Sequence, residues 1–162
     1  MTPTPTHYER LGLPRRFSVD LAELERAYLE RSREVHPDYH ALSGDRDQTA
    51  SAALNEAYTT LRDPFRRAEY LLSLHLGDAT PVARPQSPAF LMQAMELRER
   101  LEDGGELAAL DAEVEALIDA EHAAVERLFA EPAADAVGIR QHLNAWKTLA
   151  SLRRSIRDAV AD

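Results

Sequence analysis

Cysteine is absent from this chain of 162 residues. Without a thiol the chain can form no disulfide framework, no thiolate-ligated zinc or iron–sulfur site and no cysteine nucleophile. A chain of this length still buries roughly 68–70% of the surface that its unfolded form exposes, so it can be stable without such cross-links. The lack of thiols fits a reducing compartment, and we expect the protein to be cytoplasmic.

Positive charge is also scarce. The chain has 19 lysines and arginines against 28 aspartates and glutamates, which gives a net charge of −9. Nucleic-acid binding relies on a basic surface that releases counterions, so we predict no nucleic-acid partner. No apolar run approaches the roughly 18 residues of a membrane span, and residues 2–6 lack both the basic and the apolar region of a signal peptide. We therefore predict no membrane partner.

β-Branched aliphatic residues are few. The chain contains 7 valines and 3 isoleucines but 27 alanines and 22 leucines. Alanine and leucine favour helices, whereas valine and isoleucine favour strands. The composition therefore predicts an all-α fold.

Signatures of common enzyme sites are missing too. The sequence has no glycine-rich phosphate loop, no dinucleotide-binding glycine motif and no His-Glu-x-x-His motif. His36 and His40 have the spacing that a metal can use on a helix, but Pro37 breaks any helix between them. We expect no catalytic residue, no metal and no cofactor. A Ser–His–Asp triad stays open as an alternative, because its members need not be adjacent in sequence.

What the chain does contain is two helical blocks joined by a segment of helix breakers. Residues 77–88 hold three prolines and a glycine without helical periodicity, which predicts a linker. The blocks on either side cover residues 1–76 and 89–162. Up to residue 75 the chain has 10 basic and 12 acidic residues, and the remainder has 9 basic and 16 acidic residues. The second block therefore carries most of the negative charge.

Four helices are predicted in the first block. A short helix covers Tyr8 to Leu11, and a longer one begins after Asp20 as its N-cap. The apolar stripe of this longer helix consists of Leu21, Leu24, Tyr28 and Val35. Pro37 removes a backbone donor and must end the helix. A third helix follows residues 43–47, and Asp63-Pro64 begins a fourth.

Three helices are predicted in the second block, over Pro88–Asp103, Glu106–Ala130 and Ala134–Val160. Their lengths and short connections favour an antiparallel three-helix bundle. The apolar stripes of the last two helices consist of Leu107, Leu110, Val114, Leu117, Ile139, Leu143, Trp146, Leu149, Leu152 and Ile156.

A loop motif gives the first indication of function. His36-Pro37-Asp38 follows an amphipathic helix and precedes a helix that can pack antiparallel to the first. The surrounding strings that add to this pattern are Leu54-Asn55-Glu56-Ala57-Tyr58, Leu61, Asp63-Pro64 and Arg67-Ala68-Glu69-Tyr70. Over about residues 7–75 the chain resembles a J-domain, the module that stimulates ATP hydrolysis by seventy-kilodalton heat-shock chaperones. This resemblance implies an N-terminal helical hairpin.

Further sequence segments indicate a particular family of J-domain proteins. They are Leu11-Gly12-Leu13-Pro14, Phe17, Arg67 to Leu74, and Phe90 to Glu99. They are similar to the HscB family of iron–sulfur cluster co-chaperones, over nearly the whole chain. The resemblance implies two partners, an HscA/DnaK-type chaperone ATPase and an IscU-type scaffold protein that the C-terminal bundle binds. The alternative is a J-domain co-chaperone that recruits a different client protein.

The resemblance assigns chaperone binding to the loop and to the helix before it. The residues concerned are His36, Pro37 and Asp38 in the loop and Arg26 and Arg33 on the exposed face of the helix. Glu30 and Glu34 dilute this basic face, so an ordinary solvated face is the alternative. Two residues depart from the family pattern. Arg31 falls on the apolar stripe of the helix, where the family usually has a leucine. Its aliphatic stem must extend outward, or the helix must pack differently there. Tyr39 stands where a basic residue is common in the family.

The first helix of the second block has two apolar faces. One contains Leu97 and can pack in the bundle, which leaves methionines beside carboxylates on the other. The resemblance assigns scaffold binding to Leu91, Met92, Met95, Glu96 and Glu99. Alternatively, the two methionines pack against the first block. Trp146 is a candidate for one further aromatic contact to the scaffold or, alternatively, a core residue.

Overall fold

The computed structural model describes residues 4–35, 44–77 and 86–161. These residues form the helices α1 (His7–Leu11), α2 (Leu21–Val35), α3 (Gly44–Arg62), α4 (Pro64–Leu76), α5 (Pro88–Glu102), α6 (Leu107–Ala130) and α7 (Ala136–Ala161). No strand occurs in these three stretches, and the predicted all-α fold is confirmed. The motif His36-Pro37-Asp38, Tyr39 and residues 78–85 of the predicted linker lie outside the described residues.

Side-chain caps fix where several helices begin. Oδ1 of Asp20 accepts a hydrogen bond of 2.8 Å from the Ala22 backbone, and Oδ1 of Asp63 accepts one of 2.8 Å from the Arg66 backbone. Each carboxylate satisfies an amide that has no partner within the helix and also interacts favourably with the positive end of the helix dipole. The predicted N-caps of α2 and α4 are therefore confirmed.

The chain forms two compact units, Met1–Ser73 and Leu74–Asp162. In the first unit, α1 and α2 both pack against α3. Its buried apolar residues are Tyr8, Leu11, Leu13, Phe17, Leu24, Leu54, Ala57, Leu61, Ala68, Leu71 and Leu72. Tyr28 of α2 stacks on Tyr58 of α3 with ring centroids 4.3 Å apart, and its hydroxyl donates to Oδ1 of Asn55 at 2.6 Å. These contacts fix α2 on α3.

Two positions on α2 test the predicted apolar stripe. The prediction for Leu21 is wrong, because this first helical residue is 54% exposed and α2 begins its buried face at Leu24. Arg31 extends outward, as its long stem allows. Its guanidinium pairs with Glu34 at 3.1 Å and lies next to Gly12, whose positive φ of 67° ends α1. An arginine is therefore accommodated on this stripe without burial of its charge.

The second unit contains a helical bundle. Residues of α6 and α7 pair in opposite chain order, since Asp111 contacts Arg153 whereas Glu121, further along α6, contacts His142. These two helices are therefore antiparallel. The buried cluster that joins α5 to them consists of Leu97, Leu110, Val114, Leu149, Leu152 and Ile156. The predicted three-helix bundle is confirmed.

Candidate partner-binding surfaces

The first candidate surface lies on α2. Arg26 and Arg33 are both exposed, together with Leu29 between them, and Leu24 on the opposite side is fully buried. Among the described residues neither Arg26 nor Arg33 makes an ion pair, whereas Arg31 is held by Glu34. At 1.5 Å per residue the Cα atoms of Arg26 and Arg33 are separated by about 10 Å along the helix axis. We call this surface, with Arg26, Leu29 and Arg33, the basic face of α2.

The loop motif follows in sequence directly after α2, the helix that carries the basic face. Helix α2 ends at Val35, so Arg33 belongs to its last turn and His36 is the next residue in the chain. Because His36, Pro37 and Asp38 lie outside the described residues, their assignment to chaperone binding stays a prediction. The assignment of Arg26 and Arg33 is compatible with their exposure and also stays a prediction.

A buried arginine supports this unit, and sequence reasoning missed its role. Arg67 is only 6% exposed, and its Nη1 donates a 2.7 Å hydrogen bond to the carbonyl oxygen of Leu61. Its Cζ lies 5.1 Å from the ring centroid of Phe17, within the range of a cation–π contact. One side chain thus joins α4 to the end of α3 and to the segment between α1 and α2. The sequence indicated this role only through the position of Arg67 next to Ala68, on the side of α4 that is buried.

The second candidate surface lies on α5. Leu91, Met92 and Met95 are 50%, 72% and 63% exposed, whereas Leu97 is 2% exposed and packs in the bundle. The predicted division of α5 into two faces is confirmed. Single exposed hydrophobic residues are ordinary, but three within two turns form a coherent apolar strip.

Carboxylates border this strip. Glu96 and Glu99 are exposed, and each lies four residues after a methionine, on the same side of α5. The neighbouring Arg100 points elsewhere, because its Nη2 pairs with Glu113 of α6 at 2.8 Å. This hydrogen bond raises the pKa of Arg100. Within the described residues, Glu96 and Glu99 make no ion pair of their own. We call Leu91, Met92, Met95, Glu96 and Glu99 the Met/Glu face of α5.

The acidic residues of α6 behave differently. Asp111 is bound by Arg153 of α7 at 2.9 Å, and the same arginine pairs with Glu115 at 2.7 Å. The hydrogen bond from Arg153 lowers the pKa of Asp111. Several of these acids therefore join α6 to α7.

Trp146 is a core residue. Its side chain is 6% exposed and contacts the ring of His122 edge to face at 5.3 Å between centroids. The interpretation of Trp146 as an exposed contact to the scaffold is thereby wrong.

The described ranges contain neither a metal site nor a membrane-spanning helix. No group of three or more histidine, aspartate or glutamate side chains there is arranged to hold a metal ion. Nor is any helix in these ranges both long and apolar enough to cross a bilayer. Both candidate surfaces are instead open helix faces, which can contact a protein partner over a broad area.

Comparison with known protein families gives a match to each unit. Residues 6–70 match the DnaJ domain, and residues 86–157 match the HSCB C-terminal oligomerisation domain. The first match contains the basic face of α2, and the second contains the Met/Glu face of α5.

Individual relatives and structures agree with these matches. The co-chaperone protein HscB homolog of Burkholderia multivorans is 44% identical over 134 residues, which are 76% of this chain and 75% of that protein. The HscB homolog of Aliivibrio salmonicida is 45% identical over 105 residues, 60% of each chain. Chaperone HscB from Vibrio cholerae superimposes with a TM-score of 0.80 at 30% identity, over 97% of this chain and 98% of that one. Human co-chaperone protein HscB shares the fold, with a TM-score of 0.83 at 24% identity over 98% of this chain and 84% of that one.

Proposed function

The chain belongs to the HscB family of co-chaperones, and from this membership we propose that it stimulates the ATPase of an HscA/DnaK-type chaperone and delivers an IscU-type scaffold protein to it. In this role it supports the maturation of iron–sulfur proteins in the cytoplasm. The observation that carries the proposal is the presence of two exposed helix faces, one in each unit, that differ in charge and polarity.

The first step assigns the N-terminal unit to the chaperone. Arg26 and Arg33 offer two cations without an ion-pair partner among the described residues, and such a face attracts an acidic surface. His36 and Asp38 follow at the end of α2, with Pro37 between them. A proline restricts the backbone, so the two polar side chains bind a partner at a low cost in conformational entropy. We propose that these five residues bind the chaperone.

The second step assigns the Met/Glu face of α5 to the scaffold. Methionine side chains adapt to the shape of a partner, and their burial against a protein supplies apolar contact area. The flanking Glu96 and Glu99 favour a partner with basic residues at the rim of its contact surface. The five residues of this face thus form an apolar centre with an acidic border, the usual arrangement of a binding surface.

The two steps together explain how the protein can act without chemistry of its own. A chain that holds the scaffold with one unit and the chaperone with the other raises the effective concentration of the scaffold at the chaperone. The chaperone hydrolyses the ATP, and the co-chaperone supplies only contacts. Its contribution is therefore the pairing of substrate loading with ATP turnover.

ATP turnover of the cognate chaperone tests the first step. We expect the full chain to raise turnover and the scaffold to raise it further when both are present. Asp38→Asn should abolish the stimulation, because the amide cannot replace a carboxylate as an acceptor of charged donors. Thermal unfolding of the same preparation should be unchanged. Normal stimulation by a folded Asp38→Asn variant would contradict the assignment of the loop.

Calorimetric titration tests the second step and distinguishes the client. Binding of the iron–sulfur scaffold to the full chain is expected, and it should persist in the Asp38→Asn variant because that residue belongs to the other unit. If the chain stimulates the chaperone but does not bind the scaffold, the alternative of a different client is correct.

A further inference from the structure

We propose that Met92 and Met95 form an oxidation-sensitive site, at which conversion of their thioethers to sulfoxides by hydrogen peroxide weakens the binding of the scaffold to α5. This inference rests on the proposed scaffold-binding function. It adds a chemical modification that weakens scaffold binding at the same face, and reduction of the sulfoxides would restore the binding.

Few groups in the chain compete for an oxidant. The sequence contains no cysteine and only three methionines, Met1, Met92 and Met95. The two methionines on α5, Met92 and Met95, are 72% and 63% exposed. Trp146, the other oxidisable side chain of this unit, is 6% exposed. Peroxide therefore reaches Met92 and Met95 in the folded protein without any opening of the bundle.

The reaction is a two-electron oxygen transfer. A lone pair on the thioether sulfur attacks one oxygen of hydrogen peroxide, an S–O bond forms and the O–O bond breaks. The second oxygen leaves as water after proton transfer, so the sulfur is oxidised to a sulfoxide and the peroxide is reduced. Each event adds one oxygen atom to the protein and consumes one peroxide. Methionine sulfoxide reductases, one enzyme for each epimer, restore the thioether at the expense of an added dithiol, which is oxidised to a disulfide while the oxygen leaves as water.

The position of the methionines makes the product unfavourable for docking. The sulfoxide oxygen is a hydrogen-bond acceptor, and burying it against an apolar partner without a donor costs free energy. One turn further along α5 lie Glu96 and Glu99, whose carboxylates are themselves acceptors. The face thus offers the new oxygens no donor from these neighbours. Two oxidised side chains would replace apolar contacts at the centre of the face by polar groups.

Hydrogen peroxide is uncharged, so the charged side chains beside the methionines do not repel it. The fold should survive the modification, because the buried side of α5 contributes Leu97 rather than a methionine to the core.

The experiment compares the full chain before and after oxidation. The protein is treated with hydrogen peroxide, the peroxide is removed with catalase, and the scaffold is added only afterwards, so that its own residues are never exposed to the oxidant. Peptide mass spectrometry should find one added oxygen on each of Met92 and Met95. We expect the Kd for the scaffold to rise at least tenfold, and sulfoxide reductases should restore it. Chaperone stimulation in the absence of scaffold should stay the same.

A matched variant shows where the effect originates. In Met92→Leu/Met95→Leu both sulfurs are replaced by carbon with little change in volume, so peroxide should leave the scaffold affinity of this variant at its own untreated value. A treated variant that loses affinity would place the oxidation elsewhere and overturn the inference. So would unaltered affinity of the wild-type chain carrying both sulfoxides. Failure of the untreated wild-type chain to bind the scaffold would instead refute the proposed function.

Discussion

Arg67 has an unusual role for an arginine, because it is part of a hydrophobic core. Its guanidinium is buried between the Leu61 carbonyl oxygen and the ring of Phe17. A buried charge is unfavourable unless hydrogen bonds and nearby polarisable groups compensate for its lost hydration. Here the contacts come from two other segments of the N-terminal unit, the end of α3 and the residues between α1 and α2. The side chain therefore holds together the framework that supports the basic face of α2.

Replacement of this side chain should destabilise the N-terminal unit. In Arg67→Ala the carbonyl oxygen of Leu61 loses a charge-assisted hydrogen bond and a cavity opens beside Phe17. We expect the free energy of unfolding to fall by about 2–4 kcal/mol. Arg66→Ala is the matched control, since this adjacent arginine is exposed and its loss should change the free energy by less than about 0.5 kcal/mol. Chemical denaturation measures both, and equal effects would contradict a special role for Arg67.

His7 predicts a pH dependence of stability. Its ring stacks on Tyr70 at 4.1 Å between centroids, and burial lowers its pKa, with Arg10 acting in the same direction and Glu56 against it. A lowered pKa means that the folded state favours the neutral ring. The stabilisation is therefore fully present above the unfolded pKa of about 6.5 and is lost as the pH falls from there through the lower pKa of the folded state.

Thermal unfolding between about pH 7.5 and 5 checks this prediction. His7→Phe keeps an aromatic ring against Tyr70 but cannot be protonated, so its unfolding temperature should fall less steeply with pH than that of the wild type. The hydrogen bond from the His7 backbone to the Tyr70 hydroxyl, at 2.9 Å, does not depend on the side chain and remains in the variant. Equal slopes for the two proteins would show that His7 does not titrate in this range.

Residue-level roles were the least accessible to sequence reasoning. Periodicity indicates which side of a helix is apolar, but it does not indicate how far a long side chain reaches. Arg31 and Arg67 both fall on apolar stripes, yet one extends to the surface and the other is buried. The difference depends on what lies opposite each residue in the fold. For Arg67 this is the carbonyl oxygen of Leu61 at the end of α3, which only the tertiary structure brings into reach.

At the scale of helices, local chemistry allowed better predictions. Asp20 and Asp63 were recognisable as N-caps, and α2 and α4 begin immediately after them. The start of α7 was predicted two residues early, at Ala134, because the competing cap Asp135 was not considered. Its carboxylate accepts a 3.2 Å hydrogen bond from the Val137 backbone, and the helix begins at Ala136. A short polar side chain before a helical stripe was thus the relevant signal in all three cases.

Helix α5 gives a prediction that separates binding from folding. Replacement of Met92, Met95, Glu96 and Glu99 together by alanine removes the centre and the border of the Met/Glu face. Because these side chains are exposed, no cavity forms and thermal unfolding should change little. If each contributes more than about 1 kcal/mol to docking, scaffold affinity should fall at least tenfold to a hundredfold in calorimetric titration. Chaperone stimulation without scaffold should persist.

The control for α5 is a residue on its other side. Leu97 is 2% exposed and contacts the core formed with Leu110 and Val114. Leu97→Ala should therefore reduce the free energy of unfolding by roughly 2–5 kcal/mol through loss of buried area and formation of a cavity. Wild-type scaffold affinity in the quadruple variant would refute the docking face. Unfolding as severe as that of Leu97→Ala would show that the face belongs to the core.

For the whole molecule, the essential feature is that the two candidate surfaces belong to different units. The basic face of α2 lies in Met1–Ser73 and the Met/Glu face of α5 in Leu74–Asp162. The sequence allowed this assignment because breaker residues separate the two helical blocks and because each block resembles a different part of the family. The first block was predicted to end at residue 76, where α4 ends, but the sequence did not reveal that the boundary between the compact units falls within α4, after Ser73.

This separation leads to a prediction about a fragment that ends at Gly77. Such a fragment retains all of α4, whose last residue is Leu76, and with it the contacts of Arg67 and Tyr70. It should still stimulate the chaperone modestly, because the proposed chaperone-binding residues are intact. It should lose the additional stimulation by scaffold, because the Met/Glu face is missing and the scaffold is no longer held next to the chaperone. Steady-state ATP turnover with and without scaffold measures both effects. Full synergy from the fragment would mean that the scaffold does not act through α5, and the division of labour between the units would then be wrong.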